Sequence, residues 1–208
     1  MPKLKILQEG QSYTFRSYCE MPYETDEILA ELGYAFASRR LQLPSASRQS
    51  DRLPYLRQQI EEILPLVRLS SETARRETLV APILLEVARF CQCQIRIEYP
   101  LTVNNWLKGS LDYFLRRDNS LLVVEAKNDD LSRGFTQLAV ELIALTQVEN
   151  HAVWCGAVTM GDVWRFGTRE TASNLVTQDI TLYRVPDDLE QLTQILIGIV
   201  GYNASGED

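Results

Sequence analysis

Apolar positions follow two periods along the chain, and the change between them outlines the fold. Residues 13–18 read as a short strand. Residues 25–41 place Ile28, Leu29, Leu32, Phe36 and Leu41 on one side of a helix that Thr25 or Asp26 can cap. Pro44, Ser45 and Ser47 predict a loop. Residues 50–67 read as a second helix, with Pro54 in its first turn and Pro65 near its end. Leu79, Val80, Ile83, Leu84, Val87 and Phe90 give residues 71–90 a helical period, and Pro82 inside it predicts a kink or a late start. Strand patterns follow at 95–103, 110–116 and, more apolar, 121–127. Residues 131–148 form a strong helical pattern. Residues 152–160 and 163–166 read as a hairpin closed by Gly161 and Asp162. A last strand at 180–185 and a helix at 187–201, capped by Asp187 or Asp188, complete the order.

Helix, three strands, helix, then strands predicts an α/β core with a central mixed sheet flanked by helices, over residues 71–208. Residues 1–70 read as a mainly helical N-terminal extension packed on that core. No apolar run approaches the ~20 residues of a membrane span, and residues 1–10 have no long apolar stretch of the signal-peptide kind. A soluble, cytoplasmic protein with no membrane partner is therefore expected.

Composition narrows the chemistry. The four cysteines, Cys19, Cys91, Cys93 and Cys155, form no CxxC pair, so free thiols are expected. One histidine, His151, makes a Ser-His-Asp triad or a His-rich metal site hard to build. No Walker A pattern and no GxGxxG is present. Any catalysis would rest on carboxylates and a lysine. The net charge of −7 argues at first against a nucleic-acid partner. Residues 39–76, however, hold eight arginines against four acids, a net of +4 that could contact phosphates. Ordinary solvated helix faces would look the same.

The chain has four lysines and seventeen arginines, and one lysine stands out. Lys3 and Lys5 are terminal and Lys108 is in a turn, but Lys127 ends the apolar run Leu121-Leu122-Val123-Val124-Glu125-Ala126-Lys127. Glu125 and Lys127, two apart in a strand, share a face at roughly 7 Å in Cα separation. The preceding strand carries Asp112, and the short turn at 117–120 makes the two strands antiparallel neighbours, so Asp112 can lie close to Glu125. Two adjacent carboxylates repel unless a cation joins them, and Mg²⁺ takes oxygen ligands of this kind. A lysine beside them can orient a water or neutralise charge on phosphorus. A strand end with its charges in solvent is the competing reading of the same residues.

Asp112 followed by Glu125-Ala126-Lys127 resembles the PD-(D/E)xK nuclease superfamily, with its restriction-endonuclease-like core, although Leu111 stands where the name has Pro. The resemblance implies that Asp112 and Glu125 are metal ligands, with the Ala126 carbonyl a third, and that Lys127 is the catalytic lysine. Many members place a Glu on the helix before the three strands. Glu77 and Glu86 are the candidates, and the likeness to archaeal junction resolvases favours Glu77. Several subfamilies carry a Gln on the helix after the lysine strand, which here is Gln137; its amide could hold a water at the metal or a phosphate oxygen. A narrower likeness joins residues 71–76 and 79–84 to the opening helix, and Thr159 to Phe166 to the later hairpin, of nuclease domains in type I restriction subunits. It covers residues 71–166; residues 1–70 and the C-terminal helix carry none.

The resemblance implies a Mg²⁺- or Mn²⁺-dependent hydrolase that cuts phosphodiester bonds in nucleic acid, with DNA the expected substrate and a homodimer a possible form. The alternatives are a catalytically silent module of the same fold that binds nucleic acid or a partner protein, and an oligomeric structural protein.

Overall fold

The computed structural model describes residues 5–117, 120–126 and 130–201, with the backbone alone over 120–126. It is a mixed α/β fold built on one mixed sheet. The element order is α1 (Phe15–Glu20), α2 (Thr25–Glu31), β1 (Ala35–Arg39), α3 (Leu53–Ile63), α4 (Glu72–Arg75), a π-helical turn (Arg76–Val80), α5 (Ala81–Cys91), β2 (Gln94–Thr102), β3 (Lys108–Arg117), β4 (Ser120–Ala126), α6 (Leu131–Thr146), β5 (Val153–Thr159), β6 (Val163–Glu170), β7 (Leu175–Asp179), β8 (Tyr183–Arg184) and α7 (Leu189–Gly201). Across the sheet the strands run β1-β7-β6-β5-β4-β3-β2, and β8 pairs with β6. The pairs β4–β5 and β1–β7 are parallel; the others are antiparallel.

Each sheet face carries its own core. On one face α1, α2 and α6 bury Phe15, Tyr18, Ile28, Leu29 and Phe135 against Phe114, Trp154 and Val158. On the other, α3, α5 and α7 bury Leu56, Ile60, Leu84, Val87, Leu192 and Leu196 against Leu115, Trp164 and Phe166. Apolar area removed from water on both faces drives this arrangement.

The pattern-based expectation holds closely from β2 to β5 and departs from the structure in four other places. Residues 15–20 are helical rather than extended, because Thr14 donates its backbone N–H to Ser17 Oγ at 3.0 Å and starts a turn. The helix expected over 25–41 stops at Glu31. Glu24 and Glu27 cap its start, Gly33 takes φ +84° just past its end, and Ala35–Arg39 pairs in parallel with β7. A helix-stopping glycine thus turns half of the expected helix into an edge strand. The expected last strand at 180–185 is instead β7 at 175–179 followed by the two-residue β8. Asp188, expected as a helix cap, accepts from the Arg184 backbone N–H at 2.8 Å.

The fourth departure lies at Pro82. The helical segment does not start late; it runs on through α4, the π turn and α5, and the irregularity falls in the π turn just before Pro82. Proline offers no N–H to the carbonyl four residues back and crowds it. The wider turn just upstream, closed by the Ala81 N–H on the Arg76 carbonyl, accommodates that conflict, and π turns are frequent at functional sites.

The β5–β6 hairpin turns at Gly161, with φ +89° and Leu79 Cδ1 3.1 Å from where a Cβ would stand, so glycine is required there. Trp164 Nε1 donates to the Gly161 carbonyl at 3.0 Å. Arg75 reaches the same hairpin, donating to the Met160 carbonyl at 2.8 Å and pairing with Asp162 at 3.1 Å.

Candidate functional site

Strands β3 and β4 pair from Arg117↔Ser120 to Tyr113↔Val124. Continued by one residue, that register sets Asp112 opposite Glu125, on the same sheet face. Glu125 and Ala126 in turn pair with Val158 and Thr159 of β5, which holds their backbone on that side. The Glu125 side chain and all of Lys127 lie outside the described residues. Asp112 is only 9% exposed, a depth at which a carboxylate needs compensating charge.

Arg76 supplies part of that charge. Its guanidinium stands 3.5 Å from Asp112 and 2.6 Å from Glu98, and lies 5.2 Å from the centre of the Tyr113 ring. Burial works against the Arg76 charge, but Tyr113, Asp112 and Glu98 more than offset it and push its pKa up. Burial also raises the pKa of the Tyr113 hydroxyl; Arg76 pulls it back, while Asp112 and Glu77 push it further up.

Two departures from regular backbone converge on this point. Arg76 opens the π turn. Glu98 adopts φ +53°, unusual for a residue with a Cβ. The β2–β3 ladder is paired from Gln94↔Arg116 to Thr102↔Lys108 except at one position, Glu98 opposite Asp112.

The other residues singled out from the sequence separate into two groups. Glu77 is exposed on the same π turn as Arg76 and acts electrostatically on Tyr113, the neighbour of Asp112. Glu86 is engaged elsewhere: it accepts from Ser50 and pairs with Arg89 at 2.6 Å, lining a groove of about 250 Å³ between α3 and α5 with Arg52, Tyr55 and Leu85. Gln137 is 4% exposed and donates through Nε2 to Glu141 Oε1 at 2.9 Å. Of the pair Glu77 and Glu86, Glu86 is the one bound to Ser50 and Arg89, and Glu77 the one that acts on Tyr113.

The Glu86 cluster makes a pH prediction. Burial tends to raise its pKa from the ordinary 4.5, but hydrogen bonds from Arg89 and Ser50 outweigh that and hold it lower. A carboxyl with a depressed folded-state pKa contributes stability above its unfolded value and loses it as pH falls through the folded value. Glu86→Gln is therefore expected to destabilise the protein at pH 7, with the gap to wild type closing as pH falls below 4.5. Urea titrations at neutral pH and near pH 3 read this directly; a gap that stays constant would deny Glu86 the role.

Four of the eight arginines of residues 39–76 are committed to internal partners. Arg39 meets Glu170 at 3.5 Å, Arg57 donates to the Pro186 carbonyl at 2.7 Å, Arg75 holds the hairpin, and Arg76 holds Asp112 and Glu98. The four cysteines are in no disulfide, and Cys19 Sγ donates to the Arg16 carbonyl at 3.1 Å. His151 Nε2 is 3.3 Å from Glu149 and its ring meets Trp154 edge-on. No helix among the described residues is long and apolar enough to cross a membrane.

Three residues were not singled out from the sequence. Arg76 was legible only as one of a run of arginines; its signal was its place six residues before a mid-helix proline. Glu98 was legible as an ordinary polar strand position. Glu141 is fully buried, and an acid between Val140 and Leu142 in an apolar helix was a signal that could have been read.

The Asp112 carboxylate, the Glu125 position opposite it and the Ala126 carbonyl are hard oxygen donors of the type Mg²⁺ takes. Among the described residues no group of three or more His, Cys, Asp or Glu side chains gathers as a metal site. No known family model matches the chain, and no curated protein matches it significantly.

Proposed function

We propose that this protein is a Mg²⁺-dependent nuclease of the PD-(D/E)xK kind, hydrolysing phosphodiester bonds in nucleic acid, with DNA the expected substrate. One observation carries the reading: β3 and β4 are antiparallel neighbours paired up to Tyr113↔Val124, a register that, continued by one residue, would set Asp112 opposite Glu125. The order of elements supports a restriction-endonuclease-like core, since α5 leads into the antiparallel β2–β3–β4, and α6 then carries the chain to β5, parallel to β4.

The donor set fits a hard divalent cation. The position already draws a positive group, the Arg76 guanidinium, to Asp112. Asp112 and Glu125, with the Ala126 carbonyl, would hold the cation. When bound, Mg²⁺ would lower the pKa of an attacking water and act as a Lewis acid on the phosphoryl oxygen.

The chain's own residues supply the rest. Lys127, two positions beyond Glu125 in the sequence, would orient the attacking water and offset charge developing on phosphorus. Glu77 offers an exposed carboxylate from the π turn, able to accept a proton from water. Gln137, held by Glu141, supports the site from α6. Arg52, at the start of α3, lines the α3–α5 groove and can meet backbone phosphates.

The test is incubation of the purified chain with supercoiled and linear duplex DNA, single-stranded DNA and RNA, with Mg²⁺ or Mn²⁺ and with EDTA. Cleavage of at least one substrate that needs the cation is the expected result. Folded protein that cuts none of them, yet retains nucleic acid in EDTA, would replace this reading with a silent binding module.

A further inference from the structure

Arg76 stands between two acids from adjacent strands. The Glu98 contact is the closer, at 2.6 Å against 3.5 Å for Asp112. The Glu98 side chain is 56% exposed and the Asp112 side chain 12%. One acid of the pair is therefore at the surface and the other within the sheet, and the guanidinium spans them. Both local irregularities of the backbone serve this bridge. The π turn carries Arg76, and the left-handed Glu98 falls at the one unpaired rung of the β2–β3 ladder, opposite Asp112. Non-glycine residues in that conformation are costly and cluster where a site needs them.

We infer that Arg76 is the built-in counter-charge of the Asp112 carboxylate, that a divalent cation and Arg76 compete for Asp112, and that Glu98 is the acid that keeps Arg76 when the cation takes its place. This rests on the cation reading of the Asp112–Glu125 position. A guanidinium 3.5 Å from a carboxylate oxygen neutralises much of its charge, and a divalent ion on the same carboxylate would lie within a few ångströms of that guanidinium. Like charges so close oppose each other. The coupling is reciprocal: whatever factor Arg76 costs the cation, the cation costs the hold of Arg76 on Asp112. Arg76 is thus a positioning residue that acts through Asp112. It holds a buried carboxylate in place before the cation arrives, and it sets how tightly the cation binds.

Mn²⁺ titration of the full chain by calorimetry tests this without any substrate. Wild-type protein is expected to bind Mn²⁺ and Asp112→Asn to lose it, which assigns the heat to this site. Arg76→Gln is expected to bind about fivefold tighter or more, and Arg76→Lys to stay near wild type. Glu98→Gln leaves Arg76 to Asp112 and is expected to weaken binding. In the double variant Arg76→Gln/Glu98→Gln that weakening should vanish, whereas a general loss of negative charge would persist. A purely structural arginine would leave affinity unchanged or lower it, never raise it.

Wild-type binding with Arg76→Gln unchanged or weaker overturns the inference and leaves the cation site standing. A folded wild type that binds no Mn²⁺ at millimolar concentration overturns both. If circular dichroism shows Arg76→Gln unfolded, Glu98→Gln carries the test, and unchanged affinity there overturns the inference.

Discussion

Lys127→Ala protein is expected to fold as wild type and to cleave nucleic acid about a thousandfold more slowly at saturating Mg²⁺. Lys127 lies outside the described residues; in the sequence it closes the apolar run 121–127, two positions beyond Glu125, a spacing that shares a face in a strand. On the proposed mechanism its ammonium orients the attacking water and offsets charge on phosphorus, so its loss removes both. Asp112→Asn should cause a loss of the same order by a different route. It removes a ligand charge and leaves Arg76 with Glu98 as its remaining carboxylate at 2.6 Å. The two are separable: Asp112→Asn should lose cation affinity, whereas Lys127→Ala should keep it and fail in the chemical step. Single-turnover cleavage beside Mn²⁺ calorimetry makes the distinction. Cleavage that survives Lys127→Ala in a clean preparation would remove that residue from the mechanism.

Gly198→Ala is expected to destabilise the fold by about 2 kcal/mol, although it replaces glycine by the best helix former within a helix. Helix propensity alone would predict a gain of about 1 kcal/mol. The structure reverses the sign. A Cβ at 198 would stand 2.6 Å from the carbonyl carbon and oxygen of Pro44 and 2.7 Å from the Ser45 nitrogen. These are backbone atoms, and the segment is tied to α7 by the Ala46 N–H on the Gln194 carbonyl at 3.0 Å. Neither side can yield as a flexible side chain would. Urea denaturation gives the result directly, and a variant as stable as wild type would mean that the 44–46 segment moves freely off α7.

Much of the architecture was legible because it is local. The strands β2 to β5 and helix α6 follow from runs of apolar residues with clear periods, and the turn between β3 and β4 is short enough to force antiparallel pairing. The candidate site inherited that legibility. Asp112 and Glu125 are charges inside apolar strands, and the pairing that sets them opposite each other follows from the same short turn. Edges and caps were harder. Ala35–Arg39 is too short and too weakly patterned to be told from a helix end, and it is a strand only because β7, some 140 residues away, offers it hydrogen bonds. The segment 15–20 is decided by a cap rather than by periodicity.

The sequence by itself determined the alternation of helix and strand, the Asp–Glu–Ala–Lys spacing and the scarcity of lysine that draws attention to residue 127. These are properties of neighbours along the chain, where periodicity and turn length act directly. Only the tertiary structure decided that Glu86 is tied to Ser50 and Arg89, that Arg39, Arg57, Arg75 and Arg76 are spent on internal pairs, and that Arg76 joins Glu98 to Asp112. Charge pairing acts through space over a few ångströms, so two residues 36 apart in sequence, Arg76 and Asp112, become one electrostatic unit only when a π turn and an unpaired rung bring them within 3.5 Å.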